Sequence, residues 1–118
     1  MIKNKKGSIV YITSSSASDG NEGRSAYSSS KAAIISQAKV LSRELGTHNI
    51  RVNSLAPGLT NTDMMKENHQ KEIVNEVVSR TSLRRMGDPK EIADVVLMLS
   101  SDLTSYITGQ NIRVDGGM

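Results

Sequence analysis

Cysteine is absent from the 118 residues, which excludes disulfides and thiolate-bound metal. Tryptophan and phenylalanine are absent too, and tyrosine occurs three times. The apolar positions therefore fall to Ile, Val, Leu, Ala and Met, a palette suited to an α/β domain in which β-branched residues fill strands. At 36% hydrophobic residues, the chain is poor for a self-contained core. No stretch approaches the roughly 18 apolar residues of a membrane span. The polar start Met1–Gly7 has no signal-peptide core, and no Asn-x-Ser/Thr acceptor is present. A cytoplasmic protein without a membrane partner is expected. His48 and His69 lie far apart with no ligand spacing, so they read as surface residues and no metal is expected.

What is present starts with a small positive balance, +3 from 15 basic and 12 acidic residues. Lys3, Lys5 and Lys6 form the only basic cluster, with no aromatic residue interleaved. That reads as a solvated loop rather than a nucleic-acid surface.

Ile9-Val10-Tyr11-Ile12 is a short β-branched run, predicted as a strand buried on both faces. Thr13 to Gly23 is rich in Ser, Gly, Asn and Asp and reads as a loop. Ser25 to Leu45 reads as a helix whose apolar face draws on Ala32, Ala33, Ile34, Ile35, Ala38, Val40, Leu41 and Leu45, with Gly46 placed as a C-terminal cap. Its Ile34/Ala38/Leu41 stripe reads as core or oligomer contact. Asn49 to Leu55 alternates with period two and stops at Pro57-Gly58, a second strand. Thr62 to Arg80 reads as a polar helix with Ile73, Val74, Val77 and Val78 as its stripe. Its first half is a candidate lid, in which Met64 and Met65 either line a substrate pocket or pack the lid. Asp88-Pro89-Lys90-Glu91 opens a helix with a capping box, continued by Ile92 to Leu99. Asn111 to Val114 is a last strand, ended by Asp115-Gly116-Gly117. Strand, helix, strand, helices, strand implies right-handed crossovers and a parallel α/β sheet.

Tyr27 and Lys31 are four apart on the predicted helix and share one face. A phenol, ordinarily ionising near pH 10, is a poor acid or base at pH 7, and lowering that by about three pH units takes about 4 kcal/mol. An ammonium about 4 Å away supplies a term of that size at an effective dielectric near 20. Tyr-x-x-x-Lys is thus a sensible proton-transfer pair, although the spacing recurs by chance on many helices. Ser14, Ser15 and Ser16 follow the first strand, at the sheet edge where α/β proteins bind ligands. A hydroxyl there can hydrogen-bond a carbonyl that becomes an alkoxide. Ser28-Ser29-Ser30-Lys31 matches a Ser-x-x-Lys motif of penicillin-recognising enzymes, but neither Ser-Asp-Asn nor Lys-Thr-Gly follows.

Ile12-Thr13-Ser14-Ser15 followed by Tyr27-Ser28-Ser29-Ser30-Lys31-Ala32-Ala33 resembles the active-site segment of the short-chain dehydrogenase/reductase family, of the kind that includes 3-oxoacyl-[acyl-carrier-protein] reductases. Ile50 to Gly58, Thr60-Asn61-Thr62, Arg85 to Ala93, Tyr106 to Gln110 and Asp115-Gly116-Gly117 resemble further family signatures in register. The resemblance covers essentially the whole chain and implies the C-terminal half of a Rossmann-type doubly wound parallel sheet. By the family's spacing, the catalytic serine is Ser14. The resemblance further implies that Tyr27 passes the proton, Ser14 holds the substrate oxygen, and Lys31 favours the phenolate and holds the nicotinamide ribose. Pro57, Gly58, Thr60 and Thr62 would orient the nicotinamide of NAD or NADP, and a ketone or secondary alcohol, such as a 3-oxoacyl thioester, would be the substrate. A homo-oligomer, dimer or tetramer, would be the assembled form.

The family's Gly-rich turn, its Asn-Asn-Ala-Gly segment and its catalytic Asn have no counterpart in these residues. Gly20-Asn21-Glu22-Gly23 lies between a strand and the catalytic helix, and Asn53 and Asn111 align elsewhere. The expectation is a fragment or truncated reading frame, residues 1–118 of a partial nucleotide-binding domain. Its first strand would show an apolar edge, giving a marginal monomer prone to associate. The competing expectation is therefore a catalytically inactive fragment without a cofactor clamp, at most an oligomerisation module.

Overall fold

The computed structural model describes residues 1–62 and 71–118. The lid reading and the residues Met64, Met65 and His69 lie outside the described residues. Three strands, β1 (Gly7–Ile12), β2 (Ile50–Pro57) and β3 (Asn111–Val114), form a parallel sheet in the order β1-β2-β3. Gly7 stands opposite Ile50 and Ile12 opposite Leu55; Ser54 stands opposite Asn111 and Pro57 opposite Val114. Parallel neighbours need long crossovers. Helices α1 (Ser16–Asp19) and α2 (Ser25–Leu45) join β1 to β2, and α3 (Lys71–Arg80) and α4 (Pro89–Ser100) lie between β2 and β3.

The core sits on both faces of β2. On one face, Ala38 of α2 packs with Ile50 and Val52, flanked by Ile9, Tyr11, Leu41 and Leu45. On the other, the Ser8 hydroxyl donates to the Leu99 carbonyl at 2.9 Å and Arg51 donates to the Ser101 carbonyl at 2.8 Å, tying the end of α4 to the sheet. Val52, Leu55 and Leu99 are fully buried, each contributing about 1.5–3 kcal/mol.

The second strand forms as expected, and Val52 through Ala56 are all buried, because the strand is central and covered on both sides. Its polar members are satisfied internally. Asn53 Nδ2 donates to the Ile107 carbonyl and its Oδ1 accepts from Gln110 N–H, while Ser54 Oγ donates to Asn111 Oδ1. Asn53 and Asn111 thus carry structural bonds.

β1 is not buried on both faces. Only β2 pairs with it among the described residues, so it is an edge strand, half-buried, with Ile12 exposed. The loop after it contains the short helix α1.

Gly46 keeps a right-handed φ of −59° and continues into a 3₁₀ turn, Gly46–His48; the left-handed residue is Asn49, at φ 54°, a conformation Asn tolerates. His48 is half-buried at the surface. The inward stripe of α2 is narrower than its apolar content, for Ala32, Ala33 and Val40 are exposed, and Ile73 of α3 is exposed as well.

The start of α4 is as expected. Asp88 accepts from Lys90 N–H and Glu91 from Asp88 N–H, each at 2.8 Å, with Pro89 at the first position. The Arg85 guanidinium also grips Glu91 at 2.6 and 2.8 Å. That hydrogen bond first, then the Asp88 N–H, pulls the Glu91 carboxyl from 4.5 down to about 2. A carboxyl with a depressed folded value stabilises at pH above its unfolded value and loses that contribution as pH falls through the folded one. The cap is therefore expected to hold at pH 4.5 and to weaken toward about pH 2. Carboxyl-carbon NMR of Glu91 should give a midpoint near the lower figure; one near the upper would contradict the Arg85–Glu91–Asp88 geometry.

Candidate active site

The C-terminal ends of the three strands meet along one edge of the sheet, where open α/β sheets place their ligands. Beyond β1, Thr13 N–H donates to the Leu55 carbonyl at 2.7 Å and Ser15 N–H to the Pro57 carbonyl at 3.0 Å. Ser14 is pinned between these two bonds to β2. Its Oγ accepts from Ser16 N–H at 3.2 Å, which leaves its proton for another acceptor. Ser15 and Ser16 are buried, and Ser16 Oγ accepts from Asn21 Nδ2 at 3.0 Å. Of the three adjacent serines, Ser14 is the one still half-open.

The first turns of α2 carry Tyr27 and Lys31. The Lys31 ammonium lies 5.7 Å from the centroid of the Tyr27 ring, within cation–π range. It also donates to the Ile12 carbonyl at 3.3 Å. One ammonium therefore joins the face shared with Tyr27 to the last residue of β1, two residues before Ser14. Tyr27 is 45% exposed, open to an incoming molecule. No hydrogen bond joins the Ser14 and Tyr27 hydroxyls among the described residues. The neighbouring Ser28 hydroxyl is buried without a partner, a state that costs about 1–3 kcal/mol.

At the end of β2, Pro57 and Gly58 are half-buried and Gly58 N–H donates to the Val114 carbonyl at 3.0 Å. A Cβ on Gly58 would stand 2.6 Å from Asp115 Cα, so only glycine fits. The Thr60 hydroxyl donates to the Gly58 carbonyl at 3.1 Å, and Thr60 bridges to Gly87. Thr62 is exposed, its N–H turned to the Thr60 carbonyl at 2.9 Å. The expected cofactor residues thus form a tight turn beside the β1 end.

These groups suit one end of a dinucleotide. Among the described residues Lys31 has a single protein acceptor and donors to spare, beside an exposed phenol, as a ribose diol requires. A pyrophosphate normally rests on a glycine-rich turn at a helix N-terminus. At α4 that place is filled by the carboxylates of Asp88 and Glu91, which repel an anion. Among the described residues the donor set fits the nicotinamide–ribose end and offers no phosphate cradle. No group of three or more His, Cys, Asp or Glu able to hold a metal is found among them, and none of their helices is long and apolar enough to cross a membrane.

Sequence reasoning missed three contributors. The Ile12 carbonyl left no signal, being backbone. Asp19 looked like one polar loop residue among many, yet it receives Arg113 Nη1 at 2.7 Å and Nη2 at 3.2 Å. Asp115 was visible only as part of a signature; it takes Arg113 Nε at 2.6 Å and Gly117 N–H at 3.0 Å. Burial raises the Asp115 carboxyl, but the Arg113 hydrogen bond and the Gly117 N–H outweigh it and hold the group below its ordinary range.

Comparison with known proteins matches residues 1–118 to the family described as enoyl-(acyl carrier protein) reductase. A 3-oxoacyl-[acyl-carrier-protein] reductase of Chlamydia trachomatis is 47% identical over 118 residues, all of this chain and 47% of that protein. A (3R)-3-hydroxyacyl-CoA dehydrogenase of Mus musculus is 42% identical over 113 residues, 96% of this chain and 43% of that protein. A solved 7α-hydroxysteroid dehydrogenase in complex with NADH and 7-oxo glycochenodeoxycholic acid superposes with a TM-score of 0.95 at 40% identity, covering 99% of this chain and 46% of that one. The chain spans about half the length of the curated relatives it matches.

Proposed function

Since the chain belongs to the short-chain dehydrogenase/reductase family, with part of a Rossmann-type α/β fold, we propose that it carries the proton-transfer half of a nicotinamide-dependent oxidoreductase acting on a carbonyl/alcohol pair. The observation that carries this reading is the Lys31 ammonium, shared between the Tyr27 ring and the Ile12 carbonyl at the strand end that leads to Ser14.

In the reducing direction, the Ser14 hydroxyl donates a hydrogen bond to the substrate carbonyl oxygen. Tyr27 gives that oxygen its proton as negative charge develops on it. Lys31 stabilises the phenolate left behind and takes the ribose hydroxyls. The turn Pro57–Gly58 with Thr60 and Thr62 would hold the nicotinamide. NAD or NADP, when bound, supplies the hydride; the protein positions and polarises.

The substrate class we propose is a 3-oxoacyl thioester. It is the chemistry named for the Chlamydia relative, and it fits the (3R)-3-hydroxyacyl-CoA named for the mouse one. A homo-oligomer in the cytoplasm completes the proposal. The alternative is an inactive module, and it draws on one observation: among the described residues, the start of α4 is occupied by the carboxylates of its own capping box.

Titration of the chain with NADH and with NADPH, followed by nicotinamide fluorescence, separates the two. With only the nicotinamide–ribose end gripped, saturation is expected near millimolar cofactor, about −4 kcal/mol, and Lys31→Ala should abolish it. NADH and NADPH differ only at the adenosine ribose, so the two titration curves are expected to coincide. No saturable signal with either, or an unchanged curve for Lys31→Ala, would favour the inactive module.

A further inference from the structure

We infer that Arg113 is a positioning residue that locks the Ser14 arm to the Gly58 turn through one guanidinium. Arg113 stands on β3, 94 positions from Asp19 in the sequence, and its side chain reaches both α1 and the tail that follows β3. Nη1 and Nη2 fork onto the two Asp19 oxygens at the end of α1, the helix that begins two residues after Ser14. Nε takes Asp115 Oδ2 at 2.6 Å, and Nη2 also reaches the Met118 carbonyl at 3.3 Å. Asp115 in turn is the residue against which Gly58 is packed. A line of direct contacts therefore runs from the Ser14 arm, through α1 and Asp19, to Arg113, Asp115 and the Gly58 turn.

An exposed ion pair would mean little, since such pairs contribute about 0–1 kcal/mol. This one joins two residues that are exposed overall but whose side chains are partly shielded. The Arg113 side chain is 32% exposed, Asp19 23% and Asp115 8%. The contact to Asp19 is a two-pronged fork, the geometry in which a planar guanidinium is most selective. Nothing else among the described hydrogen bonds joins α1 to β3. The consequence for the site is a second tie: Ser15 N–H already bonds the start of the arm to the Pro57 carbonyl, and Arg113 fastens its far end, at Asp19, to the Asp115 segment that packs on Gly58. The functional meaning rests on the reading of Ser14 and Gly58 given above.

The clamp is tested by hydrogen exchange on the full chain, resolved to single amides. In Arg113→Gln, the Ser18 and Asp19 amides, which donate to the Ser15 carbonyl, and the Gly58 amide, which donates to the Val114 carbonyl, are expected to exchange about tenfold faster, the effect of losing one charge-assisted bond on local opening. The Thr13 amide, on the β1–β2 ladder, should not change. Asp19→Asn should accelerate only the α1 amides, and Asp19→Glu should restore them. Asp102→Asn, which breaks the exposed Lys6–Asp102 pair at the far end of the sheet, should leave all of these amides as they were.

Unchanged exchange at α1 and Gly58 in Arg113→Gln would overturn the clamp. So would equal acceleration of every amide including Thr13, which would mark general loosening. Because exchange is read without cofactor, the clamp can fail while the titration succeeds, or stand while the titration fails.

Discussion

Tyr27→Phe is expected to lower carbonyl-dependent oxidation of the reduced nicotinamide by about two to four orders of magnitude, the usual worth of a placed proton donor. The fold should hardly notice. The side chain is 45% exposed, and surface changes of this kind stay within about 0.5 kcal/mol. Lys31 would keep its bond to the Ile12 carbonyl and its place over the ring, so cofactor binding should persist. Ser14→Ala should cost less, about two to three orders, as loss of one donor to a developing oxyanion does. Steady-state kinetics at saturating cofactor, with circular dichroism of each variant, checks both. Equal rates for wild type and Tyr27→Phe would remove the phenol from the mechanism.

Gly58→Ala carries the second large effect. The new methyl carbon would sit 2.6 Å from both Cα and Cβ of Asp115. Neither neighbour can yield easily, since Gly58 N–H is bonded to the Val114 carbonyl and Asp115 is held by Arg113 and Gly117. Forcing atoms into a packed site costs about 1–3 kcal/mol. In a domain of this size, that lowers the thermal midpoint by about 4 °C per kcal/mol. Gly46→Ala is the matching control: it has a right-handed φ and nothing within 4 Å of an added Cβ. It should be neutral or stabilise by up to about 1 kcal/mol. Thermal melts in which the two variants behave alike would contradict the packing at the end of β2.

Much of this was legible in the residues. Helix α2 runs from Ser25 to Leu45 as its periodicity predicts, and Asp88-Pro89-Lys90-Glu91 opens α4 because capping chemistry is local. The pairing of Tyr27 with Lys31 follows from helical spacing alone. What spacing could not tell was burial. β2 alternates with period two, yet Asn53 and Ser54 are buried, because their partners Ile107, Gln110 and Asn111 come from more than fifty residues away. Ile9 to Ile12 has the composition of an interior strand, and its place at an edge was legible only from the family segments that have no counterpart in these residues. The choice of Ser14 among three serines needed the family's spacing, and the burial of Ser15 and Ser16 agrees with it. Asp19 and Arg113 meet only through tertiary structure, and neither residue type announces its partner.

The most direct measurement mixes the chain with millimolar reduced nicotinamide and a short 3-oxoacyl thioester and follows the reduced-nicotinamide absorbance. The account predicts a decline that requires the thioester, is lost in Tyr27→Phe and is weakened in Ser14→Ala. A flat trace with wild type, or one that falls as fast without Tyr27's hydroxyl, would contradict it.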